Sequence, residues 1–330
     1  MNRAPVLAIE SLTVVFHGER GSVRAVDGAS LELRRGEILG LVGESGSGKS
    51  VTCLAAMGLL SGKKSVDLAG RILYGEENLL AAGEARLRAL RGDRLTMIFQ
   101  DPMTALNPYL TVGRQIAEVL ETKRGASRAE AMRAAERALG DCGIAAPERR
   151  VRQYPHHFSG GMRQRVMIAM ALATKPDILF ADEPTTALDV TTQKQILGLI
   201  GELCRTIGTA VVFVTHDLAV AAEIADRIAV LYAGRIAEEA PAAALFERPL
   251  HPYTRGLLAS IPRLDGVLNE RFATIPGRPP DLIARSPGCA FAPRCPEAVD
   301  ACLDAVPQPE SAGPGHRVAC PPALARETTP

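Results

Sequence analysis

Apolar residues along this chain gather into short β-branched runs that alternate with stripes at helical spacing. Residues 6–16 and 29–33 are rich in β-branched side chains and predict strands. Residues 37–42 form an apolar run that stops at a glycine-rich turn, and a helix is expected from about Ser50. Residues 66–100 read as strand and loop, closing with an apolar run over 95–99. The period then changes: Val112, Ile116, Val119 and Leu120 recur at helical spacing. Ser127 and Glu130 form a capping box ahead of an alanine-rich helix. Strand patterns return over 178–180 and 210–215, and between them Ile196, Leu199, Ile200, Leu203 and Ile207 mark an amphipathic helix. This alternation predicts a largely parallel α/β sheet, in a domain over 1–245, with a helical insertion at about 102–172. From about 246 prolines become frequent and long periodic segments stop, which predicts a separate loop-rich extension over 246–330.

The 330 residues suffice for one large domain or two smaller ones, and 47% hydrophobic content is ample for a core. A net charge of +1 implies no basic face, so nucleic acid is not expected as a partner. No stretch approaches the roughly 18 uninterrupted apolar residues of a membrane span. The N-terminus lacks a signal peptide's apolar run and cleavage site, so a cytoplasmic location is expected.

Gly43-Glu44-Ser45-Gly46-Ser47-Gly48-Lys49-Ser50 fits G-x-x-x-x-G-K-[ST] in a strand–loop–helix context. The glycines let backbone N–H groups turn inward around phosphate oxygens, and the helix start aims its positive dipole end at the same anion. Lys49 is placed to reach the β- and γ-phosphates, and the Ser50 hydroxyl to bind Mg²⁺. The pattern alone predicts a nucleoside triphosphatase and does not separate kinases, GTPases, helicases and transporters.

The apolar run 178–181 ends in Asp182 and Glu183. Buried carboxylates need partners. A Mg²⁺ ion held through Asp182 satisfies one, and Glu183 beside the γ-phosphate could polarise an attacking water. The alternative is that both acids cap the next segment. His216 follows a second buried run, and ligands of open parallel sheets sit at the carboxyl ends of strands, so it is a candidate for the same chemistry.

Ser159-Gly160-Gly161-Met162-Arg163-Gln164-Arg165 resembles the signature of the ABC (ATP-binding cassette) ATPases. The resemblance runs nearly continuously over 6–240 and implies an ABC cassette on a P-loop, RecA-like core. It implies that two cassettes face head to tail, with Ser159, Gly160 and Gly161 of one meeting the γ-phosphate on the other. Gln100 matches the glutamine loop, with a place at the γ-phosphate and Mg²⁺. Ala187-Leu188-Asp189 matches the dimer-contact loop, and Phe16 stands where the family stacks an aromatic ring on adenine, though a core role fits Phe16 equally. Glu44, Ser45, Gly46, Ser47, Gly48 and Val51 complete the implied ATP contacts. Phe158 replaces the usual leucine before the signature serine and Met162 the common glutamine; neither change removes a chemically needed group.

Within that family, 97–108 (MIFQDPMTALNP), His251-Pro252-Tyr253-Thr254, Ile261-Pro262, Ile275-Pro276-Gly277 and Pro279-Pro280 look like the oligopeptide/dipeptide importer ATPases. The implied function is ATP hydrolysis powering peptide import from the cytoplasmic face of the inner membrane. The implied partners are two transmembrane permeases, a second and homologous ATPase subunit and, indirectly, an extracytoplasmic binding protein. Nickel or glutathione import shares part of the pattern, and a soluble non-transport ABC ATPase or a P-loop kinase are the other readings.

Of seven cysteines, Cys53, Cys142 and Cys204 sit among apolar residues and read as core groups. Cys289, Cys295, Cys302 and Cys320 are spaced C-x5-C-x6-C-x17-C in the extension. Thiolates suit iron–sulfur clusters or Zn²⁺, and the short C-x2-C knuckles usual for zinc are absent. A cluster, zinc and unliganded thiols all stay open on the residues; resemblance to the importer ATPases implies a [4Fe–4S] cluster.

Overall fold

The apolar runs become the most deeply buried strands of the protein. In the computed structural model the described residues are 4–100, 105–186, 188–261, 274–283 and 287–328. Residues 101–104, Ala187 and Pro262, which carry part of the resemblance, lie outside them. The strands are β1 (Leu7–Gly18), β2 (Gly21–Leu33), β3 (Ile38–Val42), β4 (Val66–Tyr74), β5 (Glu77–Asn78), β6 (Leu95–Ile98), β7 (Ile178–Asp182), β8 (Ala210–Thr215), β9 (Arg227–Tyr232), β10 (Arg235–Pro241), β11 (Glu310–Gly313) and β12 (His316–Val318). They belong to two compact units. One comprises residues up to Leu7, Leu33–Ile38 and Tyr74–Val214; the other comprises Ala8–Glu32, Leu39–Leu73 and Thr215 onward.

In the first unit β6, β7 and β8 run parallel in that order, with Ile98 opposite Ala181 and Asp182 opposite Val214. Every residue of β7 and β8 is buried, which suits parallel strands covered on both faces. Helices Val112–Arg124 and Arg128–Asp141 pack through Ala117, Leu120 and Ala131. The first is capped by Thr111, whose side chain accepts from Arg114 N–H, and is closed by left-handed Gly125. The second opens with the Ser127–Glu130 capping box read from the sequence.

Helix Val190–Ile207 departs from expectation in one respect. It buries Ile196, Leu197, Ile200, Gly201 and Cys204, while Leu199, Leu203 and Ile207 are only half-buried. The buried face is rotated toward the small residues Gly201 and Cys204, which permit closer approach than the leucines.

In the second unit β3 pairs parallel with β9, and β10 pairs antiparallel with β9. β2, β1 and β4 lie side by side in a second sheet. The loop-rich extension also contains regular structure. β12 adds antiparallel to β10, with Glu238 opposite Val318, and β11 adds to β12. Strands of three and four residues are too short to show a period in the sequence.

A buried charge anchors this addition. Glu238 is fully buried in β10 and accepts from Leu250 N–H (2.7 Å), His251 N–H (2.9 Å) and His316 Nε2 (2.8 Å). Burial alone would raise its pKa, but these donors outweigh burial and hold the carboxyl below its usual range. Removing them would strand a carboxylate in the core.

Candidate nucleotide site

In the second unit the phosphate-loop sequence lies between β3, buried throughout, and helix Lys49–Ala56. Two glycines are required by space. A Cβ on Gly43 would lie 2.1 Å from the Leu231 carbonyl oxygen, and one on Gly48 would lie 2.4 Å from that of Ala25, at a left-handed φ of 105°. Gly234 N–H donates to the Ser47 carbonyl (2.8 Å) and Ser47 N–H to the Glu44 carbonyl (3.1 Å), fixing the turn. Lys49 is 5% exposed, and its Nζ donates to the carbonyls of Gly43 (2.7 Å) and Glu44 (3.0 Å). Its charge is thus held inside the loop by acceptors that phosphate oxygens can replace. The buried Ser47 Oγ has no hydrogen-bond partner among the described residues, an orphan that a bound anion would satisfy. Ser50 and Val51 follow on the helix, half-buried, and Ser45 and Gly46 are exposed at the turn. Phe16 is half-buried in β1, and His216 is exposed between β8 and helix Leu218–Ile224.

In the first unit β7 delivers the two acids. Asp182 is 6% exposed at the strand end. Glu183 adopts a left-handed φ of 47°, a conformation that costs a non-glycine residue about 1–3 kcal/mol and collects at functional sites. Three contacts hold it there. Its N–H donates to the Val214 carbonyl (3.0 Å), and its Oε2 accepts from Thr186 Oγ1 (2.9 Å) and Gln100 Nε2 (3.2 Å). The structure thus bonds Gln100 to Glu183; sequence reasoning had given both a place at the γ-phosphate but no direct contact.

Ser159 caps helix Gly160–Leu172, its Oγ accepting from Met162 N–H (3.4 Å). Gly160 is open to solvent. A Cβ on Gly161 would lie 2.7 Å from Thr192 Cγ2, so the signature helix abuts the start of helix Val190–Ile207. Asp189 caps that helix, accepting from Thr192 Oγ1 (2.7 Å) and Thr192 N–H (2.9 Å), bonds that lower its carboxyl pKa.

Cys289, Cys295, Cys302 and Cys320 line one small cavity together with His251 and Glu297. Cys289 N–H donates to the Cys302 carbonyl (2.7 Å), which ties two of the segments. Burial raises the thiol pKa values of Cys289, Cys295 and Cys320, the last to about 11. Among the described residues, no three His, Cys, Asp or Glu side chains are gathered closely enough to hold a metal ion. The arrangement therefore does not fit a single zinc, which draws its sulfurs to about 2.3 Å. An iron–sulfur cluster is not established by it either. Sequence reasoning also missed that Arg294 and Tyr253 reach Glu44 in the phosphate loop, although Tyr253 lies in the His251–Thr254 stretch it had singled out.

This is the build of a P-loop nucleoside triphosphatase, with a phosphate cradle after one buried parallel strand and an acidic pair after another. The ABC transporter family model matches residues 26–186, and the model for the oligopeptide/dipeptide transporter C-terminal region matches residues 237–302. The chain is 48% identical to the oligopeptide transport ATP-binding protein OppD of Salmonella typhimurium, over 96% of this chain and 93% of that one. It is equally 48% identical to the dipeptide transport ATP-binding protein DppD of Bacillus subtilis, over 96% and 94% of the two chains. Among solved structures, a post-hydrolysis dimer of the ATP-binding cassette MJ0796 with ADP and Pi matches with a TM-score of 0.63 and 30% identity, covering 72% of this chain and 98% of that one. With relatives this similar along nearly its whole length, the chain belongs to the ABC transporter family and is an ATPase.

Proposed function

We propose that this chain powers the import of oligopeptides or dipeptides across a cytoplasmic membrane. The observation that carries this reading is the joint match of cassette and transporter C-terminal region in one chain, with 48% identity to peptide-transport subunits along both. ATP would bind through Gly43–Val51, with Phe16 at the adenine. Mg²⁺ would be held by Ser50, Gln100 and Asp182, whose hydroxyl, amide and carboxylate oxygens suit a hard cation. Glu183, aided by His216, would orient the attacking water, and Ser159, Gly160, Gly161 and Asp189 would serve a facing cassette. Domain bounds of 1–245 and 246–330, with the insertion at about 102–172, go with this reading.

No helix among the described residues is long and apolar enough to cross a membrane. The chain would therefore act at the membrane through two permeases and a second cassette, with an extracytoplasmic binding protein delivering cargo. For the cysteine-lined cavity we propose a [4Fe–4S] cluster over zinc. The support is four thiols lining one cavity, in a region matched by the transporter C-terminal model up to residue 302. Colourless, iron-free protein from an anaerobic preparation would remove that reading.

The test of function is to tag the chain, solubilise membranes gently and identify what co-purifies. Two multi-span permeases and a second cassette are expected. Ribosomes, DNA or no membrane partner would overturn the transport reading and leave the ATPase intact. A cargo panel of peptides, nickel and glutathione then separates the importer classes.

A further inference from the structure

Two stretches of the extension, 251–254 and the turn before Cys295, reach one residue of the phosphate loop in the same unit, and 275–277 holds the arginine that does so. Arg294 lies in the 3₁₀ turn Ala292–Arg294 and is 8% exposed. Its Nη1 donates to Glu44 Oε2 (2.7 Å) and its Nη2 to Glu44 Oε1 (3.0 Å), a two-pronged clamp on the carboxylate. The remaining donors are also used: Nη1 to Tyr232 Oη (3.2 Å), Nε to the Pro276 carbonyl (2.9 Å) and Nη2 to the Ile275 carbonyl (3.4 Å). Tyr253 adds a second tie. Its ring is fully buried, 4.6 Å from that of Tyr232 and 5.4 Å from that of Phe291, and its Oη accepts from Glu44 N–H (2.8 Å). Glu44 is thus held by side chain and backbone from the extension, while its carbonyl accepts from Lys49.

We propose that Arg294 and Tyr253 are positioning residues for the phosphate loop, through which the extension neutralises and fixes Glu44 and thereby sets ATP affinity. The proposal rests on the reading of Gly43–Ser50 as the ATP site. A carboxylate within a phosphate-binding loop repels a polyphosphate, and the repulsion is strongest where water is scarce. Arg294 cancels that charge. It also fixes the residue whose carbonyl anchors Lys49, so less ordering remains to be done when nucleotide binds. The extension is therefore part of the nucleotide site.

The experiment measures the Kd for a fluorescent ATP analogue, with thermal unfolding alongside, on the full chain and on Arg294→Met, Arg294→Lys, Glu44→Gln and Glu44→Gln/Arg294→Met. Arg294→Met should weaken binding about tenfold, the size of a lost charge-assisted hydrogen bond. The double variant should recover most of that loss, because the repelling carboxylate is gone. Arg294→Lys should recover only part, because an ammonium still offsets the carboxylate charge but cannot clamp both oxygens. Recovery in the double variant is a readout that mere loss of folding would not produce. Wild-type affinity in Arg294→Met overturns the proposal, as does a double variant no tighter than Arg294→Met. Lys49→Ala serves as the control. If it loses nucleotide while Arg294→Met keeps it, the proposal alone fails; if it also binds like wild type, the ATP-site reading fails.

Discussion

The phosphate loop and the cysteine-lined cavity lie in one unit, yet their shapes have different origins. The loop's turn is set mainly within its own consecutive residues, and Gly234, Tyr253 and Arg294 brace it from outside. A buried strand ends, two glycines admit carbonyl oxygens at 2.1 and 2.4 Å from where side chains would begin, and Lys49 closes the turn on its own backbone. The cavity's shape is assembled over distance. Cys289 and Cys302 meet through a backbone bond, Cys320 arrives after β12, and the frame hangs from the buried Glu238. The loop should suffer most from change within it and less from loss of an outside brace such as Arg294. The cavity can fail at any of several remote points.

Chemical damage to the loop should give the largest effect. Lys49→Ala is expected to lower ATP hydrolysis by at least about 100-fold with little change in melting temperature, because Lys49 supplies the charge for phosphoryl transfer. Wild-type turnover would show that the loop is not the site. Next comes the acidic pair. Glu183→Gln keeps a side chain that can accept from Thr186 but loses the base, so hydrolysis should fall by roughly 100-fold or more while ATP binding persists. The variant should accumulate as an ATP-bound dimer by light scattering; a monomer with ATP would count against paired cassettes.

Packing away from both regions should give an intermediate effect of another kind. A Cβ on Gly113 would lie 2.2 Å from Val151 Cγ2, so Gly113→Ala should cost the helical insertion roughly 1–3 kcal/mol in denaturant unfolding. ATP affinity should not change. The smallest effect concerns thiols in protein stripped of any bound group. Burial pushes Cys142 and Cys204 up to about 12, leaving almost no thiolate at pH 8. Cys289 and Cys295 are only partly buried. Mass spectrometry should find Cys289 and Cys295 alkylated first and the other two only on unfolding. Early labelling of Cys142 or Cys204 would contradict the core described for the first unit.

The sequence was most legible where structure is local. The phosphate-loop spacing, the acids after an apolar run and the Ser127–Glu130 box each occupy a few consecutive residues, so their patterns stand out in the sequence. Helix Val190–Ile207 was legible as a helix, but its buried face only at Ile196 and Ile200, because Gly201 and Cys204 carry little apolar signal. The β11–β12 pair escaped because its strands are too short for a period. The clamp of Arg294 on Glu44 spans 250 residues of chain, and no pattern of neighbouring residues encodes it. The direct bond of Gln100 to Glu183, 83 positions apart, was not legible either, although the resemblance had placed both at the γ-phosphate.

The central claim, that this ATPase drives peptide uptake, is tested most directly by reconstituting its co-purified membrane assembly into liposomes and measuring uptake of labelled peptide. Uptake that requires ATP and the extracytoplasmic binding protein, and that vanishes when this chain carries Lys49→Ala, is the predicted result. Peptide uptake that continues unchanged with Lys49→Ala, or an assembly that hydrolyses ATP yet moves no peptide, would contradict it.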